Sequence, residues 1–371
     1  MLNKGIVKNN NLNDVKNTNI LLITQYVPHY RIPIYNMLNK RRGITVLHSQ
    51  ANIDVSNCEF NHVYAKSWTI GPFSYFNINL NKFCKGFKVV IAENNIRFLD
   101  RNFLILLPWR KYKWISWGIG QAASYNKKLG VRDFYKKIRL LLQKKSDAII
   151  LYSDFSLKLL LDSGIDPGSI FIANNTVSLQ NVASPDNYKK NILFIGTLYK
   201  QKKINELLYS YRSALDICSD LGNLLIIGDG TERVILEKLS QSLNLEKKVT
   251  FLGNIEDYKL LSDYFSKALI CISPGQAGLS VLTSMANSVP FVTRTDAITG
   301  GEIFNINNGG KITGVIYEKK DDLITLLCDT VANRNKYMIM GENARKYYKR
   351  ERSPELMVES IINAVKFVSN P

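Results

Sequence analysis

Histidine and cysteine are scarce: three His (His29, His48, His62) and five Cys (Cys58, Cys84, Cys218, Cys271, Cys328) occur in 371 residues, with no Cys-x-x-Cys pair. That leaves little for a zinc site or a disulfide framework, and it fits a cytoplasmic setting. No Asp-x-Asp pair occurs, so the short carboxylate motif that holds a metal-diphosphate complex is missing, and neither a metal nor a cofactor is expected. There is no Gly-x-Ser-x-Gly elbow, no Gly-Lys-Ser/Thr loop and no Gly-x-Gly-x-x-Gly after the first strand, which weighs against metal-dependent hydrolysis and nicotinamide chemistry. Residues 1–18, MLNKGIVKNNNLNDVKNT, lack the apolar stretch of a signal peptide and read as a disordered lead-in. The longest uncharged window, Ala268 to Thr293, has transmembrane length but contains Ser273, Pro274, Gly275, Asn287 and Pro290. It reads as strand, loop, helix and strand.

What is present is a chain with 46% apolar and 22% charged residues, long enough for two domains. Lys and Arg number 49 against 31 Asp and Glu, a net +18. The sum points to an anionic partner: nucleic acid, an acidic lipid surface or a phosphorylated small molecule. The bases are dispersed, with no zinc finger, basic zipper or RRM-type aromatic motif, so no specific nucleic acid is expected. The excess is uneven. Residues 1–175 hold 25 Lys and Arg against 10 Asp and Glu (+15), and residues 176–371 hold 24 against 21 (+3). Within residues 127–145, Lys127, Lys128, Arg132, Lys136, Lys137, Arg139, Lys144 and Lys145 alternate with Phe134, Tyr135, Ile138, Leu140, Leu141 and Leu142. This is either a helix lying on an anionic membrane surface or a domain helix with a solvated basic face.

Short apolar runs followed by amphipathic stretches recur along the chain, the rhythm of β-α-β units and parallel sheets. Strands are expected at 19–24, 44–49, 88–93, 103–107, 113–117, 148–153 and 170–174, and again at 191–196, 223–228, 249–253, 268–273, 290–293 and 314–317. Thr176 to Lys190 lacks apolar periodicity and is the expected linker. The expectation is therefore α/β, with two Rossmann-like doubly wound domains, 19–175 and 191–350, facing a central cleft with the carboxyl ends of their strands. Helices are expected at 335–349 and 353–368, with residues 351–371 open to returning to the first domain.

Several loops could carry chemistry. Ser273 to Ser280 joins a strand to a helix; its glycines allow close backbone approach, and the helix presents its positive end to an anion. A diphosphate is the expected guest, and an ordinary strand-to-helix turn is the alternative. Gly196-Thr197-Leu198-Tyr199-Lys200-Gln201-Lys202-Lys203 sets three lysines beside a helix start, either for a phosphate or as a solvated face. Gly228-Asp229-Gly230 ends a buried strand. In the first half, Gln25 to Pro33 is stiffened by Pro28 and Pro33 and places Tyr26, His29 and Arg31 at the carboxyl end of the sheet. Trp117, Gly118 and Gly120 end another strand, either to admit a substrate or to pack.

These blocks resemble the family 4, or group 1, glycosyltransferases of GT-B fold, of the bacterial polysaccharide type. The second half carries, in order, FIGTLYKQKKINELL, LLIIGDGTE, VTFLGNIEDYKLLSDYFSKALICISPGQAGLSVLTSMANSVPFVT, GGEIFNI and GVIYE. The first half carries ITQYVPHYRIPIY, SWGIGQ, LYSDFSLKLLLDSGI and IFIANNTV. The likeness runs from about Asn19 to Ser369. The family's Gly-Arg and the Lys five residues after the Arg fall at Gly196, Thr197 and Lys202, with Thr in place of Arg. Its two glutamates, eight positions apart, fall at Gly275 and Thr283, and the loop PGxxGLSVxxSMA resembles a proline-glycine subgroup.

The resemblance implies a retaining, metal-independent transfer of a hexosyl group from a UDP- or GDP-linked sugar to a glycan or lipid-linked acceptor in cell-surface polysaccharide synthesis. It implies that the donor is bound by Gly196, Thr197, Lys202, Gly228, Gly275, Gln276, Ala277, Gly278, Leu279, Ser280, Thr283 and Glu302, with Ser284 a further candidate. The acceptor would meet Tyr26, Pro28, His29, Trp117, Gly118 and Gly120. His29, Arg31 and Lys202 are the candidate catalytic residues, Arg31 reaching the leaving diphosphate from the first domain. The alternatives are a catalytically inactive GT-B scaffold and, on charge alone, a nucleic-acid-binding protein.

Overall fold

The computed structural model describes residues 6–7, 19–51, 56–120, 131–179, 186, 188–307 and 312–370. The chain divides into unit 1, residues 1–178 with 354–371, and unit 2, residues 179–353. The divisions fall at 178/179 and 353/354, beside the expected boundaries at 175/176 and 350/351. Part of the expected linker, residues 180–185 and 187, lies outside the described residues.

Unit 1 contains β1 (Ile6–Val7), β2 (Ile20–Ile23), β3 (Ile44–His48), β4 (Asn61–Ala65), β5 (Ser67–Ile70), β6 (Phe73–Phe76), β7 (Val89–Glu93), β8 (Lys113–Gly118), β9 (Ala148–Leu151) and β10 (Ile170–Ile172). One sheet runs β1-β4-β3-β2-β7-β8-β9-β10, parallel except for β1 against β4, and β5–β6 form a separate antiparallel hairpin. The pairing of Ile6–Val7 with Ala65 and Tyr64 departs from the expected lead-in without structure; the rest of 1–18 lies outside the described residues. Parallel neighbours need crossovers, which put helices on both faces of the sheet. These are α1 (Ile32–Arg42), α2 (Leu80–Cys84), α3 (Leu99–Leu106), α4 (Val131–Lys144) and α5 (Leu157–Asp162). Pro33 sits in the first turn of α1, where a missing N–H costs nothing.

Side chains alternate along the buried strands. Ile20, Leu22 and Ile91 face a core shared with α1 and the C-terminal helix, Pro354–Ser369; Leu21, Ile23 and Val90 face the core under α3 and α4. The C-terminal helix belongs to unit 1 because its stripe of Met357, Ile361, Ala364, Val365 and Val368 is buried there.

One expected strand is wrong. Phe103 to Leu107 belongs chiefly to α3, because β7 and β8 are adjacent and parallel, so the segment between them must cross over a sheet face. A continuous apolar run does not separate buried strand from helix by period alone.

Unit 2 contains β11 (Asn191–Ile195), β12 (Leu224–Ile227), β13 (Val249–Gly253), β14 (Ala268–Ile272), β15 (Gln276–Ala277), β16 (Phe291–Arg294), β17 (Ile298–Thr299) and β18 (Gly314–Tyr317). Its main sheet runs β13-β12-β11-β14-β16-β18, all parallel. It is covered by α6 (Ile204–Ile217), α7 (Arg233–Ser242), α8 (Tyr258–Ser266), α9 (Leu279–Ala286), α10 (Asp322–Ala332) and α11 (Arg334–Glu351). Asp257 caps α8 by accepting from the N–H groups of Lys259 and Leu260. In both units the first strand of the doubly wound core is flanked by the second and the fourth, so the order reverses there. The reversal falls between β11 and β14 in unit 2 and between β2 and β7 in unit 1, the places where such sheets take ligands. No helix among the described residues is long and apolar enough to cross a membrane.

Candidate functional site

At the switch point of unit 2, the loops leaving β11, β12 and β14 touch backbone to backbone. A Cβ on Gly228 would lie 2.0 Å from the Gly196 carbonyl oxygen, and one on Gly275 would lie 1.9 Å from that of Gln201. Only glycine fits at either position. The Gly275 N–H donates to the Lys202 carbonyl at 3.1 Å, which ties the glycine-rich loop to the lysine turn.

Lys202 ends a short 3-10 turn and is 7% exposed. Its Nζ lies where a Cβ on Gly196 would be 3.1 Å away. Burial lowers its pKa to about 8. The Tyr199 ring centre is 5.7 Å from Nζ, and no described carboxylate forms an ion pair with it. A buried ammonium without a carboxylate partner is an electrostatic debt that a bound anion would settle.

The loop after β14 is held in shape by its own ladder. Gln276 and Ala277 pair as β15 with Ile298 and Thr299 of β17, and the Ile298 N–H donates to the Gly275 carbonyl at 2.9 Å. The Tyr199 hydroxyl donates to Gln276 Oε1. Gly278 opens α9 with no side-chain cap; the Val281 N–H donates to the Gly278 carbonyl at 3.0 Å, and the N–H groups of Leu279 and Ser280 are left for a ligand. The Ser280 and Ser273 hydroxyl oxygens are buried without a hydrogen-bond partner among the described residues.

The structure therefore brings together Gly196, Lys202, Gly228, Gly275, Gln276, Ala277, Gly278, Leu279 and Ser280, with Thr197 exposed beside them. It sets three donor candidates differently. The Thr283 hydroxyl donates to Leu279 O at 3.1 Å and that of Ser284 to Val289 O at 2.8 Å, so both are engaged by the backbone of α9 and the turn after it. Glu302, 7% exposed, accepts from the Gly300 N–H at 3.0 Å and shapes the turn that follows β17.

Sequence reasoning missed the ionic network beside this site. Arg294 pairs with Glu206 at 2.7 Å and with Asp296, which Lys203 also reaches at 3.2 Å. The hydrogen bond from Arg294 brings the Asp296 carboxyl down to about 2. Glu206 and Arg294 are 88 residues apart, a pairing that no local spacing signals.

At the switch point of unit 1, Pro28 leads into the turn His29–Arg31, which exposes His29 and Tyr26. Three expectations need correction here. Arg31 is 5% exposed: its guanidinium donates to Asn175 Oδ1 at 2.7 Å and to Met357 Sδ at 3.1 Å. It lies over the rings of Tyr152, Trp117 and Tyr30 at 5.1, 5.4 and 5.6 Å. It is thus engaged inside unit 1 and is not free to meet a diphosphate. Trp117 is a core residue, and Gly120 is required for packing, since a Cβ there would meet Ser156 Cβ at 2.7 Å. Gly118, half-buried at the end of β8, keeps the expected place.

Glu93, at the end of β7, was also missed. It accepts from Thr24 Oγ1 at 2.9 Å and pairs with the buried Arg101 at 3.5 Å. Among the described residues no three His, Cys, Asp or Glu side chains group as metal ligands.

Residues 179–347 match the family described as glycosyl transferases group 1. The N-acetyl-alpha-D-glucosaminyl L-malate synthase of Bacillus anthracis is 26% identical over 197 residues, 51% of this chain and 48% of that protein. The chain thus spans about half the length of this curated relative. Among solved structures, Anabaena HepE in complex with UDP superposes with a TM-score of 0.73 at 12% identity, covering 94% of this chain and 100% of that one. The lipopolysaccharide outer core galactosyltransferase WaaB, in its apo form, superposes with a TM-score of 0.64 at 15% identity, covering 94% and 99%. Residues 179–347 thus resemble the group 1 glycosyl transferases, and the two Rossmann-like units have the GT-B fold.

Proposed function

We propose that the protein is a retaining glycosyltransferase of family 4 type that needs no metal. It moves a hexosyl group from a UDP- or GDP-linked sugar to a glycan or lipid-linked saccharide in cell-surface polysaccharide synthesis. The observation that carries this reading is Lys202, a buried ammonium without a carboxylate partner, set against Gly196 and tied through its backbone to Gly275 at the start of the glycine-rich loop.

In the reaction the bond from the sugar anomeric carbon to the diphosphate oxygen breaks, and a bond from that carbon to the acceptor oxygen forms on the same face. The acceptor proton passes to the departing diphosphate. Negative charge grows on the diphosphate as it leaves, and Lys202 with the N–H groups at the start of α9 would stabilise it. With Thr197 in place of the family's arginine, Lys202 is the one cation of that motif that remains. The unpartnered Ser280 hydroxyl is the best-placed substitute for the lost carboxylates at Gly275 and Thr283. Tyr26, His29 and Gly118 would meet the acceptor in unit 1. Residues 127–145 would rest on the inner face of the cytoplasmic membrane, of which α4 is the larger described part.

The test is a panel of UDP- and GDP-sugars with saccharide acceptors, with and without a chelator. Transfer that keeps the donor's anomeric configuration and survives chelation is expected. A folded protein that binds no nucleotide and transfers nothing would favour the inactive scaffold.

A further inference from the structure

Helix α3 is apolar on both sides: it buries Leu104 and Ile105 in the core and exposes further apolar side chains outward. Its inner face carries Arg101, 2% exposed, 3.9 Å from the centre of the Phe98 ring and ion-paired with Glu93. Its outer face carries Leu99, Phe103 and Leu106 at i, i+4 and i+7, and the turn beyond adds Trp109; Phe103 is 63% and Trp109 69% exposed. A surface helix ordinarily keeps its outer face polar. The neighbouring α4 packs on the same sheet face, since its Leu142 shares a core with Leu104 and Ile105. The outer sides of the two helices therefore point the same way, and α4 adds Phe134, 65% exposed, and Leu141.

Among the described side chains, the exposed charges around this surface are of one sign: Arg97, Lys111, Lys136, Lys137 and Lys144. The described carboxylates nearby are engaged. Asp100 accepts from the Phe76 N–H at 2.8 Å, and Asp147 is held by Arg110 and the Trp114 N–H at 2.7 Å each. Aromatic side chains exposed together within a polar rim mark an interaction surface. A second copy would set one basic rim against another. An anionic bilayer offers depth for the apolar side chains, an interfacial level for Trp109 and opposite charge for the rim.

We propose that α3 and the Trp109 turn form an apolar wedge that enters an anionic lipid surface. The proposal rests on the lipid-facing reading of residues 127–145 for its partner, but on separate residues. The experiment is flotation of the full chain with phosphatidylcholine vesicles, with and without phosphatidylglycerol. Three proteins are compared: wild type, Phe103→Ser/Trp109→Ser and Lys136→Gln/Lys137→Gln.

Wild type is expected to float only with the anionic vesicles. The apolar double variant is expected to lose partitioning by roughly tenfold or more, from the apolar area it no longer buries. Its unfolding midpoint and UDP binding should stay unchanged. Unaltered flotation of that variant overturns the wedge; if only the lysine variant detaches, the reading of α4 survives alone. Wild type that ignores anionic vesicles removes both lipid readings and leaves the transferase reading to its own test. A concentration-dependent dimer that the apolar variant abolishes assigns the surface to a second copy and also overturns the proposal.

Discussion

Lys202 and Gly228 show how far single positions could be read in advance. Spacing alone leaves Lys200, Lys202 and Lys203 open between a phosphate and a solvated face; the family resemblance singles out Lys202, which the structure buries beside Gly196. Gly228 was visible only as a glycine; that its Cβ would overlap a neighbouring carbonyl follows from the close packing of two loops. Gly228→Ala should therefore cost about 3 kcal/mol or more, through clash with the Gly196 carbonyl and through its φ of +134°. Chemical denaturation would show this as a lowered midpoint, and an unchanged midpoint would mean that the two loops yield without cost. Arg31 was misread for a physical reason. Its hydrogen-bond partners lie 144 and 326 residues away, so its position in a conspicuous loop suggested a free cation where the fold has a buried fastening.

At the scale of elements, Arg31 joins three pieces of unit 1: the turn after β2, the segment after β10 at Asn175, and the C-terminal helix at Met357. Arg31→Met removes the bond to Asn175 and the cation over three rings. It should lower the stability of unit 1 by about 2–4 kcal/mol, the usual cost of breaking a buried polar network. Hydrogen exchange should then show earlier opening of Pro354–Ser369 than of the central strands; simultaneous opening would contradict the fastening role.

The pair of strands β3 and β4 makes a second element-scale prediction. His48 and His62 face each other with Nε2 and Nδ1 3.4 Å apart, and burial, with a smaller effect from His62, lowers the His48 pKa to about 4. The folded state thus keeps His48 neutral while the unfolded chain takes up a proton near its ordinary 6.5. Stability is fully present above pH 6.5 and is lost as pH falls toward 4, by up to about 3 kcal/mol from this group. His48→Gln should flatten that part of the stability profile, and an unaltered slope would assign the acid sensitivity elsewhere. Neither histidine stood out in the sequence, because nothing in it set the register of β3 against β4. The helical state of residues 99–106 was hidden in the same way, by an apolar run that fits either period.

At the scale of the whole molecule, the alternation of strands and helices is enough to read two doubly wound units, and the ordered blocks of the second half are enough to read the group 1 resemblance that residues 179–347 bear. The return of the C-terminal helix was left open in the sequence, since its apolar stripe would fit a core in either unit. The net charge divides into +15 for residues 1–175 and +3 for residues 176–371, so the excess belongs to unit 1, together with the exposed aromatic side chains of α3 and α4. Unit 2 is nearly balanced; it buries Lys202 with no carboxylate partner among the described residues, whereas its other buried lysine, Lys189, donates to the Ser288 carbonyl. Attraction of polyanions by a dispersed excess of this kind should vanish at moderate salt. DNA retention on a column that persists there would revive a specific nucleic-acid role.

The most direct test of the central claim is calorimetric titration of UDP and GDP into wild type and Lys202→Met between pH 6 and pH 9.5. The account predicts that wild type binds one of the two nucleotides. Its affinity should fall about tenfold per pH unit above pH 8, as Lys202 loses its proton. The variant should bind roughly tenfold to a hundredfold more weakly, since a hydrogen bond to a charged group contributes about 1.5–3 kcal/mol, with no bend at pH 8. Equal affinity and an identical pH profile in the two proteins would contradict the assignment of Lys202 to the donor diphosphate.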